Sequence, residues 1–458
     1  MAERRGPARR RSHGRRRIDP ARRAAYRTLR EVSEHDAYAN LVLPEALRGA
    51  GVSGRDAAFA TELTNGTLRA LGSYDLIIEA ASGRAPGEFD PPLLDVLRLG
   101  AHQALAMRVP DHAAVAASVD LAGVEVGERV TGLVNAVMRK IAARDLPAWT
   151  ELLSAGEDEL GAIAIRTHHP RWIVQAYADL LPADELVAAL EANNAPPQTW
   201  LTVRPGLAEV DELVAAGAAL DPIAPFGARW SGDPSAAPGV REGRVGVQDP
   251  GSQLVALALA RGDAPAGRWL DLCAGPGGKA ALLAGLARER GDELIAAEPQ
   301  PHRVRLVERA LRAYPSPPEV VVADGTAPPW AAGSFARVLA DVPCSGLGAL
   351  RRRPEARWRR DPEDIAALRP LQETLLGSAL DLAEPGGLVA YVTCSPHRAE
   401  TAEVLDAVLA ARADAEPVRA ELPEAPAATG PDGRVQLWPH RDGTDAMFIA
   451  LLRKRATG

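Results

Sequence analysis

The sequence predicts an all-α domain followed by an α/β domain built on a mainly parallel sheet. Three observations lead there. From Pro20 to about Arg144, apolar residues recur only at helical spacing. From Gly243 onward, short apolar runs alternate with helical stretches, and those runs end in glycines, acids or cysteines.

In the first domain Ala25, Leu29 and Val32 fall at i, i+4 and i+7. Leu93, Leu97, Ala101 and Leu105 form such a stripe over three turns, and Val130, Leu133, Val137 and Ile141 repeat it. No alternating strand pattern interrupts them, so these helices must pack on one another to hide their apolar faces. The domain is placed at residues 18–146. It follows a basic tail, 1–17, whose Arg, Gly, Ser and Pro offer nothing to bury and which is expected to be disordered. Residues 147–238 mix helical stretches with one extended run, Thr199–Val203, and a Pro/Gly/Ser-rich stretch near Gly232–Gly239. They are expected to form a linker and small α/β subdomain.

The α/β domain, 239–458, opens with a strand over Arg268–Cys273 and a helix over Gly278–Arg290. Further strands are expected at Leu294–Ala297, Val320–Ala323, Val338–Asp341 and Leu388–Thr393. Helices at Gln300–Ala313 and Pro362–Ala383 connect them, and Val435–Trp438 and Ala446–Leu452 form a final strand pair. Short apolar strands joined by helices imply a sheet covered on both faces. In such sheets ligands sit outside the carboxyl ends of the strands.

Composition narrows the function. The chain has 458 residues, 47% hydrophobic and 25% charged, as in an ordinary globular protein. No apolar run is long enough to span a membrane, and the arginine-rich start lacks a signal peptide's apolar core. A cytoplasmic protein is expected. The net charge of −7 does not point to nucleic acid. Its distribution does: twelve arginines lie within the first 30 residues, and Arg351, Arg352, Arg353, Arg357, Arg359 and Arg360 accompany a single Glu355. Such patches make phosphate contacts, although an Arg-rich chain also places clusters on merely solvated faces. Only three of the 53 basic residues are lysines, so Lys279, inside a glycine-rich turn, stands out. Cys273, Cys344 and Cys394 are the only cysteines, too few for a disulfide framework. Their separations match no zinc spacing, and no metal is expected.

The first strand runs into Asp271-Leu272-Cys273-Ala274-Gly275-Pro276-Gly277-Gly278-Lys279. Glycines between strand and helix let a ligand approach the backbone, with free N–H groups at the helix start. A phosphate-binding loop would need Gly-x4-Gly-Lys-Ser/Thr, but Cys273 stands at its first glycine and Ala280 at its hydroxyl. A dinucleotide fingerprint would need a third glycine where Ala280 stands. An adenosine ligand without a phosphate chain remains, such as S-adenosyl-L-methionine, whose carboxylate Lys279 and the N–H groups can meet. Glu298, ending the second strand, can accept from both ribose hydroxyls. Asp324, after the third, can accept from the adenine amino group.

The fourth strand ends Asp341-Val342-Pro343-Cys344-Ser345-Gly346, and the next parallel one Tyr391-Val392-Thr393-Cys394-Ser395. Two thiols therefore lie at the ends of adjacent strands. A lone free cysteine usually packs as a small hydrophobe. Here Pro343 stiffens one loop and a serine follows both thiols, which suits a reactive site. Two thiols beside a methyl donor point to carbon 5 of cytosine, which is too weak a nucleophile to take a methyl group unaided. A thiolate added to carbon 6 makes carbon 5 enamine-like. Asp341 can hydrogen-bond the ring nitrogen as charge develops, and a second thiol suits proton removal and release. The base must first leave any stack. Spacing alone does not rank the two thiols.

These motifs resemble the Sun family, the RsmB-like 5-methylcytosine RNA methyltransferases. The matching stretches are Val247–Gln253, Asp271–Lys279, Asp341–Arg353 and Tyr391–Ser395. The first 145 residues are similar to a NusB-like RNA-binding domain, above all in His112–Val115 and Leu133–Arg139. The resemblance implies an all-α NusB-like domain before a Rossmann-like class I methyltransferase domain. It implies Cys394 as nucleophile, with Cys344 aiding product release. S-adenosyl-L-methionine contacts are implied for Cys273, Ala274, Gly275, Pro276, Gly277, Gly278, Lys279, Glu298, Asp324 and Asp341. The implied substrate is 16S ribosomal RNA or a small-subunit precursor, and a monomer is expected. Gly275, Ala280, Glu298 and Thr401 stand where Ala, Thr, Asp and Asn are common. None of these removes a needed group, though Thr401 alters the surroundings of Cys394. The rival readings are methylation of another RNA such as tRNA, methylation of DNA with the Pro-Cys thiol attacking, and a non-catalytic RNA-binding or antitermination factor without a cofactor.

Overall fold

A computed structural model of the chain describes residues 18–456; the basic tail expected at 1–17 lies outside the described residues. The structure divides into two units. One runs to Arg171 and includes Arg353–Trp358; the other holds Trp172–Arg352 and the chain from Arg359 onward.

The first unit is helical. Its opening helix, Pro20–His35, starts at Asp19, whose carboxylate accepts from the Ala21 N–H at 3.0 Å, with Pro20 in the first helical position. Ala25, Leu29 and Val32 on this helix are buried in one apolar core with Leu97, Ala101, Val137 and Ile141. The stripes identified in the sequence thus face each other, while Leu105, Val130 and Leu133 at their ends are only partly covered. Asp95 is buried among them, and Arg30 at 2.8 Å and Arg98 at 3.0 Å balance its charge.

The short segment Arg353–Trp358 belongs to this unit by its packing. Arg357 is fully buried and donates to the His168 carbonyl at 2.9 Å. The Trp358 indole N–H donates to the Leu68 carbonyl at 2.8 Å, and its ring covers Gly72, where any side chain would strike it. The Arg353 guanidinium lies 4.8 Å above the Tyr38 ring. Arg357 therefore fits neither a phosphate patch nor a solvated face. It is a buried packing residue, and the His168 carbonyl is one of the groups that hold it.

The second unit begins with helices and a small antiparallel sheet of β1 (Thr199–Val203), β2 (Gly227–Trp230) and β3 (Val245–Val247), in the order β2-β1-β3. The large sheet follows: β4 (Trp269–Asp271), β5 (Leu294–Glu298), β6 (Glu319–Val322), β7 (Phe335–Asp341), β8 (Ala383–Thr393), β9 (Ala415–Val418), β10 (Val435–Gln436) and β11 (Phe448–Lys454). Its order is β10-β11-β8-β7-β4-β5-β6, with β9 also on β11. Strands β4 to β8 are paired in parallel, and β11 runs antiparallel to β8. Alternate residues serve the two faces: Trp269 and Leu339 pack with helix Gly278–Glu289, while Leu270 and Val338 pack with helix Pro362–Leu382.

The expected fold class holds. β8 nevertheless starts at Ala383 rather than at Leu388, because Ala383 pairs with Phe335 across a register shift, and Gly386 at φ +83° absorbs the irregularity. β9 has no alternating signal in the sequence and forms because β11 offers it an edge. At β4 the winding reverses, β5 lying on one side and β7 on the other, which opens a crevice at the carboxyl ends of these strands. Among the described residues no helix is long and apolar enough to cross a membrane.

Candidate active site

The crevice is floored by the loop from β4 into helix Gly278–Glu289. Gly277 takes φ +105°, and a side-chain carbon there would lie 2.7 Å from the Ala310 Cβ and 3.0 Å from the Val307 Cα. Both conditions demand glycine. At Gly275 the constraint is milder: its φ is not positive, and a Cβ would meet only the side-chain ends of Glu298 and Arg303. Glu298 is buried at the end of β5, accepts from the Gln300 N–H at 3.1 Å and pairs with Arg303 at 3.2 Å. Arg303 also donates to the Gly275 carbonyl at 2.8 Å, so this arginine ties loop and acid together. The first N–H groups of the helix have no intrahelical partner. This cradle of bare backbone, helix start and buried acid fits an adenosine-type ligand bearing a carboxylate.

Lys279 reaches across to Asp341 at the end of β7, Nζ to Oδ2 at 2.8 Å. Burial opposes its charge, but Asp341, joined by Cys394 and Asp271, raises the ammonium pKa. The lysine is thus directed at Asp341, leaving the helix N–H groups as the donors nearest to hand for a methionine carboxylate. Asp271, at the end of β4, is fully buried, and burial followed by repulsion from Asp341 pushes its pKa up to about 7. Cys273 lies among these acids. Burial and then Asp271, Asp341 and Glu298 push its thiol well up, so it stays protonated and inert. Asp324 stands apart. It is exposed after β6, and its carboxylate accepts from the Thr326 N–H at 2.9 Å and the Thr326 hydroxyl at 2.8 Å, which lower its pKa.

The two remaining cysteines meet. Cys344 Sγ and Cys394 Sγ lie 3.3 Å apart as free thiols, brought together because β7 and β8 are neighbours. Their surroundings differ. The hydrogen bond from Cys344 lowers the pKa of Cys394 against burial and Asp341, and the Lys279 ammonium adds to the lowering. Cys344 is driven well up by that same bond, by burial and by the negative charges of Cys394, Glu400 and Asp341. The two thiols are thus shifted in opposite directions, Cys394 down and Cys344 up, a ranking that sequence spacing left open.

Several partners were not legible in the sequence. Arg303 carried no motif. Arg351 and Arg352, from the basic cluster, pair with Asp445, Arg351 at 3.4 Å, and Arg351 also lies 3.6 Å from Asp249. Asp249 caps helix Pro250–Arg261. Burial and the nearby Asp445 push its pKa up to about 6. Its only signal was a place in the Val247–Gln253 stretch.

Removing the lysine tests this electrostatic picture. In a Lys279→Met variant Cys394 loses its neighbouring cation and Asp341 loses its counter-ion, and both losses raise the thiol pKa. The midpoint of iodoacetamide alkylation at Cys394 against pH is expected to move up by about one unit. An unmoved midpoint would contradict the assignment.

A parallel sheet reversing at β4, a glycine loop entering a helix and a buried acid ending the next strand define a class I S-adenosylmethionine-dependent methyltransferase. Residues 255–453 match the family model described as 16S rRNA methyltransferase RsmB/F, and residues 19–143 match the NusB family. The chain is 30% identical to the ribosomal RNA small subunit methyltransferase B of Escherichia coli O6:K15:H31, over 95% of this chain and 98% of that one. It is 51% identical to "Putative methyltransferase Rv1407" of Mycobacterium tuberculosis, over 97% and 99%. The crystal structure of PH0851 shares the fold, with a TM-score of 0.80 over 96% of this chain and 99% of that one at 23% identity. The chain belongs to the 16S rRNA methyltransferase RsmB/F family, and is an S-adenosylmethionine-dependent rRNA methyltransferase of that type.

Proposed function

We propose that this enzyme methylates carbon 5 of a cytosine in 16S ribosomal RNA through a covalent bond between Cys394 and carbon 6. The observation that supports this above all is the 3.3 Å between the sulfurs of Cys344 and Cys394, with the Lys279–Asp341 pair beside Cys394. When bound, S-adenosylmethionine supplies a methyl group on a positively charged sulfur. The Cys273–Lys279 loop would hold its methionine end, Glu298 its ribose and Asp324 its adenine.

In this reading the Cys394 thiolate adds to carbon 6, and the electrons of the 5,6 double bond make carbon 5 nucleophilic. Asp341 is placed to hydrogen-bond the ring nitrogen as charge builds there. Once carbon 5 carries the methyl group, its proton passes to solvent water, the C–H electron pair re-forms the 5,6 double bond and Cys394 departs as thiolate with the electrons of its bond to carbon 6. The Cys344 thiol, the neighbouring sulfur, assists that release by donating a hydrogen bond to the departing thiolate. The target base must be unstacked, and the NusB-like unit is the proposed RNA grip of a monomeric enzyme.

The substrate claim is tested by incubating the purified enzyme and cofactor with 16S rRNA, small subunits, tRNA and duplex DNA, followed by bisulfite sequencing. Protection of a cytosine in 16S rRNA alone is expected. Methylation of tRNA or DNA instead, or methyl transfer that leaves cytosines bisulfite-sensitive, would overturn it.

A further inference from the structure

We propose that Glu400 is the positioning residue that sets the two thiols apart in reactivity, by anchoring the Cys344 loop directly and the Cys394 loop through it. Its carboxylate bonds directly to the residue after Cys344 and, through that residue's hydroxyl, to the residue after Cys394. The inference rests on the two-thiol reading above.

Glu400 follows β8 in a short 3₁₀ turn and is fully buried. A buried carboxylate survives only where donors surround it. One oxygen accepts the Ser345 backbone N–H at 2.7 Å and the Gln372 amide at 3.2 Å; the other accepts the Ser345 hydroxyl. Gln372 also donates to the Pro343 carbonyl at 2.9 Å, so the loop carrying Cys344 is gripped on both sides of that residue. The Ser345 and Ser395 hydroxyls lie 3.1 Å apart. The single Ser345 proton goes to the carboxylate, the stronger acceptor, so Ser395 donates to Ser345. Ser395 follows Cys394, and the chain of hydrogen bonds therefore joins the residue after each thiol to one carboxylate. The Glu400 carbonyl is itself fixed by the Tyr391 hydroxyl at 2.7 Å.

The geometry makes the two sulfurs unequal. The charged groups acting on the pair are Lys279 from the cofactor loop, Asp341 from β7, Asp445 from the turn before β11, Arg352 from the Pro-Cys loop and Glu400 from the turn after β8. Lys279 acts on Cys394, whereas Glu400 acts on Cys344. Glu400 touches neither sulfur. It holds them in register, and its charge is one of the influences that raise the Cys344 thiol, so that Cys394 is the readier sulfur to attack.

A Glu400→Gln variant keeps the shape and removes the charge. Iodoacetamide is applied without RNA, and the ratio of Cys394 to Cys344 alkylation is read by peptide mapping across pH. The wild type is expected to react mainly at Cys394. In the variant the ratio should fall about tenfold, the equivalent of one pKa unit, while cofactor affinity stays the same. Glu400→Asp, which retains the charge, should recover part of the preference. An unchanged ratio in Glu400→Gln would overturn the proposal. If that variant does not fold, Ser345→Ala, which removes the hydroxyl relay from Glu400 to Ser395 but keeps the backbone N–H bond, decides: a reduced ratio supports the positioning role and an unchanged one removes it. The readout needs no RNA, so a failure of the cytosine reading would show separately, as normal alkylation selectivity without cytosine methylation.

Discussion

A Cys394→Ala enzyme is expected to lose methyl transfer by at least about 10⁴-fold while binding the cofactor normally. The other thiols are poor substitutes: burial and three acids push Cys273 up, and burial, Glu400 and Asp341 still push Cys344 up once its bond to Cys394 is gone. Cys344→Ala should behave differently. Cys394 and Lys279 remain, so the bond to carbon 6 still forms, but the step that frees the product loses its helper. Covalent RNA–protein complex should accumulate on ordinary RNA, visible as a retarded band on a denaturing gel, with turnover down by about 10²-fold or more. Accumulation in Cys394→Ala rather than in Cys344→Ala would reverse the roles of the two sulfurs.

The second large effect is expected in the cofactor loop. Gly277→Ala must hold a side chain at φ +105°, which costs about 1–3 kcal/mol. It also brings a carbon 3.0 Å from the backbone of Val307, an atom that cannot swing aside as a flexible side chain could. The loop must shift, and with it the N–H groups that would meet the cofactor. Calorimetry should show cofactor affinity weakened by about 10- to 100-fold. Gly291, which has open space around its Cβ position, serves as the control: Gly291→Ala also bears a positive φ, yet should leave cofactor affinity unchanged. Equal losses in both variants would mean that the loop's close packing is not what matters.

What the sequence revealed was whatever periodicity and strand ends encode. Buried stripes such as Ala25, Leu29 and Val32, and the parallel strands with their terminal residues, are local patterns. The adjacency of Cys344 and Cys394 followed from assigning β7 and β8 to neighbouring places. What stayed hidden depends on partners far apart in the chain. Glu400 looks like a surface acid beside Arg398 until Ser345 and Gln372 are seen around it. Arg357 looks like one more cation in a basic run until the His168 carbonyl is found beside it. Arg303 has no motif because its work is done through the Gly275 carbonyl and Glu298. The ranking of the thiols belongs to the same class, since it arises from charges contributed by separate elements of the fold.

RNA carrying 5-fluorocytidine at the target site tests the central claim most directly, because fluorine cannot leave carbon 5 as a proton does and the enzyme is trapped on its substrate. Digestion and mass spectrometry of the trapped complex should find one nucleotide attached to the peptide containing Cys394, with its methyl group in place. Attachment at Cys344, or methyl transfer with no trapped complex, would contradict the account.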